Sequence, residues 1–288
     1  MMRKLWIALS ILLFLFSLSV GHMFFQWRNA NQERKVYEQI TQERANRIAF
    51  LMDVVAKRAD KLRNQFQLRH AKNINFSEEA QSLCNTVQAE TGVSLKLVAL
   101  APRGKISEVY PRASNESLIG LNFFDRKRNR TDLEKQAFQK GESLLDILVP
   151  SERTHGLIGY RAPILWKVKD EQKFWGFLAL AVNLEDFCRA AEIDDLEEQG
   201  LNYRLFFISD NGDSFLLREK GNFNDKVEPI RIFFHLKNLT WELQTSPKDE
   251  PPPSSFYGVA GAVLSGLAIF CLIGLAVKKQ RIPDYETD

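Results

Sequence analysis

Residues 156–182 read GLIGYRAPILWKVKDEQKFWGFLALAV. Gly156–Trp166 and Phe174–Val182 are rich in branched and aromatic residues, and a charged run, KVKDEQK, separates them. That pattern predicts two strands. Working outward, Leu144–Val149 predicts a strand before this pair. Further upstream, Ser94–Leu100 and Ile106–Tyr110 predict two short strands joined by a turn at Pro102-Arg103-Gly104-Lys105. Downstream, Leu184–Glu198 predicts a helix. Tyr203–Ser209 and Ser214–Arg218 predict a hairpin around Asp210-Asn211-Gly212-Asp213. Arg231–Phe234 and Thr240–Gln244 complete a second group of strands. Helices beside two groups of mostly antiparallel strands define an α+β fold.

The N-terminal third has a different period. From 26 to 70, Val36, Ile40, Ile48, Leu51, Val55, Leu62 and Phe66 recur mostly at spacings of three, four or their sums, and no Gly or Pro interrupts. This predicts one long stalk helix whose apolar stripe packs on its own domain or on a second copy of the chain. Residues 73–76 break the helix. Ser77 is placed to cap a helix from Glu78 to Glu90, and Gly92 is placed to stop it. Thr131 and Glu134 have the spacing of a capping box opening a helix that ends before Gly141.

Two apolar runs flank all this, Leu5–Phe25 and Phe256–Val277. As helices each would measure roughly 31–33 Å, enough for a hydrocarbon core of about 30 Å. Arg3 and Lys4 precede the first, and Lys278, Lys279 and Arg281 follow the second. Cationic flanks stay in the cytoplasm. The expectation is a two-pass inner-membrane protein with both termini cytoplasmic and a periplasmic or extracellular loop. A rival expectation makes residues 1–21 a cleavable signal peptide, with small residues in Ser19-Val20-Gly21. The organisation expected is a cytoplasmic start (1–4), first membrane helix (5–25), stalk (26–72), membrane-distal module (73–198), membrane-proximal module (199–250), proline linker (251–255), second membrane helix (256–277) and cytoplasmic tail (278–288).

A net charge of +3 with 26% charged and 45% hydrophobic residues is globular. It does not point to a nucleic-acid binder. Walker-type loops, Gly-x-Ser-x-Gly, His-Glu-x-x-His and Cys-x-x-Cys are lacking, so the chain is expected not to be an enzyme. His22, His70, His155 and His235 lack ligand spacing, and no metal or cofactor is implied. Asp210–Asp213 matches only a fragment of a calcium loop. The basic run Arg126, Lys127, Arg128, Arg130 reads as a solvated loop. Cys84 and Cys188 leave a disulfide open, while Cys271 lies in the second apolar run.

An ordered series of residues carries a resemblance to a known family. Val109-Tyr110-Pro111 ends a strand, and Asn115-Glu116 leads to Ile119-Gly120-Leu121-Asn122. Leu144–Pro150 and Gly156–Ile164 follow, then Trp175-Gly176-Phe177 and finally Leu239–Leu243 with Pro247. Over residues 93–245 this resembles the CHASE domain, an extracytoplasmic PAS-like sensor module of membrane receptors. The resemblance implies a long stalk helix with a distal and a smaller proximal PAS-like module, and a small-molecule site in the distal one. Asn122 stands where plant members carry a ligand-binding Asp, which puts an adenine-type ligand in doubt. Asp146, Tyr160 and Arg161 match the remainder of the pocket, where an Arg would clamp a carboxylate.

Family members normally continue into a kinase or nucleotide cyclase, whereas this chain stops at Asp288. The expectation is therefore a stand-alone sensor acting in trans, with a membrane kinase or cyclase, or a second copy of itself, as partner. Gly258, Ala262 and Gly266, four apart, would let two membrane helices approach closely. The alternative is an envelope scaffold or assembly protein that uses the sensor fold as an interaction surface.

Overall fold

Small and apolar side chains spaced three and four apart bury one side of a long helix, α1 (Met2–Leu68), in the computed structural model. The structure describes residues 2–68, 74–124, 139–148, 156–168, 171–209, 212–223, 228–248 and 267. The chain divides into two units, one of Met1–Glu38 with Asp249–Asp288, the other Gln39–Lys248. In the second unit α1 buries Ala45, Ile48, Leu51, Met52, Val55, Ala56, Ala59, Leu62 and Phe66. Thr41 extends this stripe by a buried hydroxyl contact to Thr245 at 2.6 Å. Val36, expected on the stripe, is exposed.

Among the described residues no helix is long and apolar enough to cross a membrane. This corrects the expectation of two membrane-spanning helices around the sheets. Ser17, Ser19, Gly21 and His22 interrupt the described part of the first apolar run, which continues into Gln26 and Arg28 within the same helix. Apart from Leu267 the second run lies outside the described residues, as do Gly258, Ala262, Gly266, the proline linker and the basic tail. The basic run at 126–130, the capping box at 131–134 and Asp210-Asn211 lie outside them too.

The helix α2 (Phe76–Thr91) begins two residues earlier than expected. Asn75, rather than Ser77, occupies its N-cap, and Phe76 is buried with its ring 6.3 Å from Phe66. Gly92 stops α2 at φ +74, a conformation that favours a residue without Cβ.

Five strands form the first sheet: β1 (Leu95–Pro102), β2 (Glu108–Tyr110), β3 (Leu144–Leu148), β4 (Leu157–Val168) and β5 (Glu171–Asn183). Their order is β2-β1-β5-β4-β3, antiparallel throughout. The quoted stretch is the central hairpin, paired from Leu157↔Asn183 to Val168↔Glu171. Gly176 lets β5 lie close to β1, because a Cβ there would stand 2.3 Å from the Ala101 carbonyl oxygen. Between β2 and β3 lie a helical turn, α3 (Arg112–Asn115), and a 3-10 turn at Glu116–Leu118.

The helix expected at 184–198 is two pieces, α4 (Leu184–Ala190) and α5 (Asp195–Glu198). Asn183 caps α4, its side-chain oxygen accepting from the amides of Glu185 and Asp186. Glu192 breaks the helix at φ +55, and its carboxylate receives Arg44 at 2.7 Å and Arg47 at 2.9 Å, both from α1. A tertiary charge contact thus overrides a continuous helical pattern.

The second sheet comprises β6 (Leu201–Ile208), β7 (Ser214–Lys220), β8 (Ile230–Leu236) and β9 (Leu239–Pro247), in the order β7-β6-β9-β8. Its largest buried side chains are Trp241 and Tyr203. A long helix followed by two antiparallel sheets agrees with the α+β class.

Candidate functional site

Alternation along β4 sends neighbouring side chains to opposite faces. Arg161 therefore lies opposite Tyr160. Register places Leu144 beside Arg161 and Asp146 beside Gly159, so Asp146 and Arg161 share one face. Ala179 and Ala99 continue that face across β5 and β1.

On this face Arg161 donates from Nη2 to Oδ2 of Asp146 at 2.9 Å. The side chains are only 15% and 8% exposed, so the pair is held away from bulk water. The Arg161 guanidinium also stands 4.7 Å from the centre of the Phe123 ring, a cation–π contact. Phe123 packs among Ala99, Ala101, Leu144, Phe177 and Ala179. Gly159 and Ala181, also on this face, are half-buried. The result is a charged pair set in a wall of short side chains with aromatic rings at one end.

Asn122 has a different role nearby. Its side-chain oxygen accepts from the Phe124 amide at 3.0 Å, and the Phe123 amide donates to the Gly104 carbonyl at 2.9 Å. Asn122 thus shapes the turn that delivers Phe123 to Arg161. Tyr160 faces α1, where its hydroxyl donates to Asp60 at 2.8 Å. Burial pushes the Tyr160 hydroxyl well above the ordinary phenol range. Of the four pocket residues read from sequence, the structure joins Asp146 to Arg161, sets Asn122 in the adjoining turn and puts Tyr160 on the reverse side.

Two residues not singled out in the sequence are prominent. Asp60 of α1 accepts from Ser143 at 3.0 Å as well as from Tyr160, with Arg63 at 3.5 Å and Lys237 at 3.7 Å. Asn238, at the β8–β9 turn, receives the Leu145 amide at 2.7 Å and donates to the Leu145 carbonyl at 3.1 Å. Met52, Asp53 and Ala56 of α1, with Leu145 and residues 235–237, line a cleft of about 260 Å³ beside these contacts. Asp60 carried a legible signal, an acid four residues beyond Ala56 on the buried stripe.

A third cluster ties α5 to the second sheet. Arg218 bonds both carboxylate oxygens of Asp194, at 3.0 and 2.8 Å, and Tyr203 donates to the same carboxylate. Burial raises the Asp194 pKa, but the bonds from Tyr203 and Arg218 outweigh it and hold the carboxyl below its usual value. Cys84 and Cys188 are both free thiols. Among the described residues no group of His, Cys, Asp and Glu could hold a metal ion.

No family model matches this chain, and no curated protein does. Among solved structures it is similar to an extracellular ligand binding receptor from Desulfohalobium retbaense DSM5692, with 12% identity and a TM-score of 0.49. That alignment covers 73% of this chain and 39% of the receptor, so the chain spans well under half the receptor's length. It is also similar to the periplasmic domain of Vibrio cholerae LuxQ, with 14% identity and a TM-score of 0.34, over 72% of this chain and 99% of that domain. Likenesses at these scores carry no argument about activity. The CHASE resemblance rests on the residue series quoted above.

Proposed function

We propose that this chain is an extracytoplasmic sensor that takes a small molecule at Asp146 and Arg161 and signals in trans to a partner protein. The observation that carries this reading is the pair itself. It sits on a sheet face shared with the short side chains of Ala99 and Ala179 and with Gly159. An enclosed ion pair is a weak source of stability, because desolvation offsets much of its Coulomb gain. An Arg is suited to gripping carboxylates through paired donors, so small carboxylates are the favoured ligand class. The basic start and following apolar run resemble an export signal and support placement outside the cytoplasm. A membrane kinase or nucleotide cyclase on another chain remains the proposed receiver, and the sensor itself is proposed to pair with a second copy.

The test is a thermal-shift screen of the full chain against a panel of small carboxylates. A ligand that binds only the folded state raises the melting temperature with dose. Arg161→Gln should abolish that rise. A panel without effect on the wild-type chain, or a rise of equal size in the variant, overturns the assignment.

One observation favours the scaffold reading. Leu216, Phe206, Glu242 and Phe233 stand side by side across all four strands of the second sheet, with Phe233 55% and Leu216 40% exposed. The exposed Phe233 and Leu216 at the two edges of this row suit a protein surface. If Phe233→Ser abolishes partner capture while every carboxylate is inert, the scaffold reading replaces the sensor.

A further inference from the structure

Strands β3 and β4 carry different contacts on their two faces. One face holds the Asp146–Arg161 pair. On the other, Tyr160 reaches Asp60, and at the free edge Asn238 holds Leu145 by both backbone groups. Leu145 precedes Asp146 in the chain, Tyr160 precedes Arg161, and Leu145 is paired with Tyr160 in register. One peptide step therefore separates Arg161 from a contact on the reverse face and Asp146 from one at the sheet edge.

Those reverse contacts reach two other elements. Asp60 belongs to α1, and Asn238 lies at the turn joining the edge strand β8 to β9 of the second sheet. Lys237 beside it holds a left-handed conformation, φ +55, and its ammonium is 3.7 Å from Asp60. The hairpin tip is thus fastened to the first sheet and to α1 at the same place.

We propose that β3–β4 is a two-faced relay, coupling the state of the Asp146–Arg161 pair to the seating of the β8–β9 tip on Leu145 and Asp60. This deepens the sensor reading by naming how its site would be regulated and read. A ligand that draws Arg161 from Asp146 removes a side-chain link between two adjacent strands. Packed strands shift as units, so Leu145 and Tyr160 move with their neighbours. Asn238 and Asp60 are positioning residues in this scheme, acting on the site through the strands.

Hydrogen exchange on the full chain tests this without any ligand. In Asp146→Asn and in Arg161→Gln, exchange across residues 235–240 should rise about twofold, the low end of coupling within one contact network. Exchange in β6 should stay unchanged. Asn238→Ala should give a similar rise, and adding Asp146→Asn to it should give little more. Asn238→Ala should also raise exchange across residues 159–162, an arm that stands even if Arg161→Gln does not fold. Unchanged tip exchange, a rise shared equally by β6, simple addition in the double variant, or an unmoved 159–162 segment in Asn238→Ala would each overturn the relay. A failed carboxylate screen is a separate result, because it leaves every one of these exchange measurements intact.

Discussion

Asn238 holds Leu145 by both its amide and its carbonyl, at 2.7 and 3.1 Å, across a separation of 93 residues. A side-chain amide here does the work of a further strand. It satisfies the outward backbone groups at one position of β3, the edge of the first sheet. The same residue closes the β8–β9 hairpin, so one side chain joins the two sheets.

Asn238→Ala removes two hydrogen bonds from the backbone of the buried Leu145. Each bond contributes a net ~0.5–1.5 kcal/mol, so a loss of about 1–3 kcal/mol is expected. Urea denaturation of the full chain measures it. Asn238→Asp should lose less, since it keeps the acceptor for the Leu145 amide.

Arg161→Ala removes a cation from beside the enclosed Asp146 carboxylate. Breaking an enclosed pair in this way costs about 3–5 kcal/mol. Replacing both partners, Asp146→Leu with Arg161→Leu, should restore much of that stability. A double-mutant cycle by chemical denaturation reads the coupling, and near-additive losses would show that the two side chains do not act together.

Gly176→Ala drives a methyl group to within 2.3 Å of the Ala101 carbonyl oxygen and 2.8 Å of the Pro102 Cα. Both atoms are backbone, so relief requires β1 and β5 to part. Overpacking of this kind costs about 1–3 kcal/mol. The expected readout is a lower urea midpoint, with faster exchange in residues 98–102 than in β6.

Stability should fall at both ends of the pH scale, for different groups. Asp194 has a folded pKa below its ordinary 3.8. Its contribution is therefore complete above pH 3.8 and is lost as pH falls toward the folded value. Cys188 has its thiol pushed by burial from 9.0 to about 12. The folded state there holds the proton more tightly than the unfolded chain. That contribution is complete below pH 9.0 and is lost as pH rises toward about 12. Urea midpoints measured across pH should decline below about 4 and above about 9. Asp194→Asn should flatten the acid limb, and Cys188→Ala the alkaline one.

Much of the local structure was legible because its causes are local. The break after α1 was visible, and so were the Gly92 stop, the Pro102–Lys105 turn and the strand at 144–148. Alternation along β4 was legible as well. It places Tyr160 and Arg161 on opposite faces, although the CHASE resemblance grouped them in one pocket. Hydropathy alone was a poor guide to the first apolar run, where polar residues interrupt its described part. The single helix expected at 184–198 failed because Arg44 and Arg47, from another element, draw Glu192 out of the helical pattern.

By itself the sequence determined the period of each segment, and hence which residues become helix, strand or turn, because side-chain spacing and backbone preference act within a few residues. Only the tertiary structure decided the β2-β1-β5-β4-β3 order, the meeting of Asp146 with Arg161 beneath Phe123, and the fastening of Leu145 by Asn238. Those depend on which surfaces become buried together. Burial is a property of the assembled chain, and no local spacing encodes a partner 93 residues away.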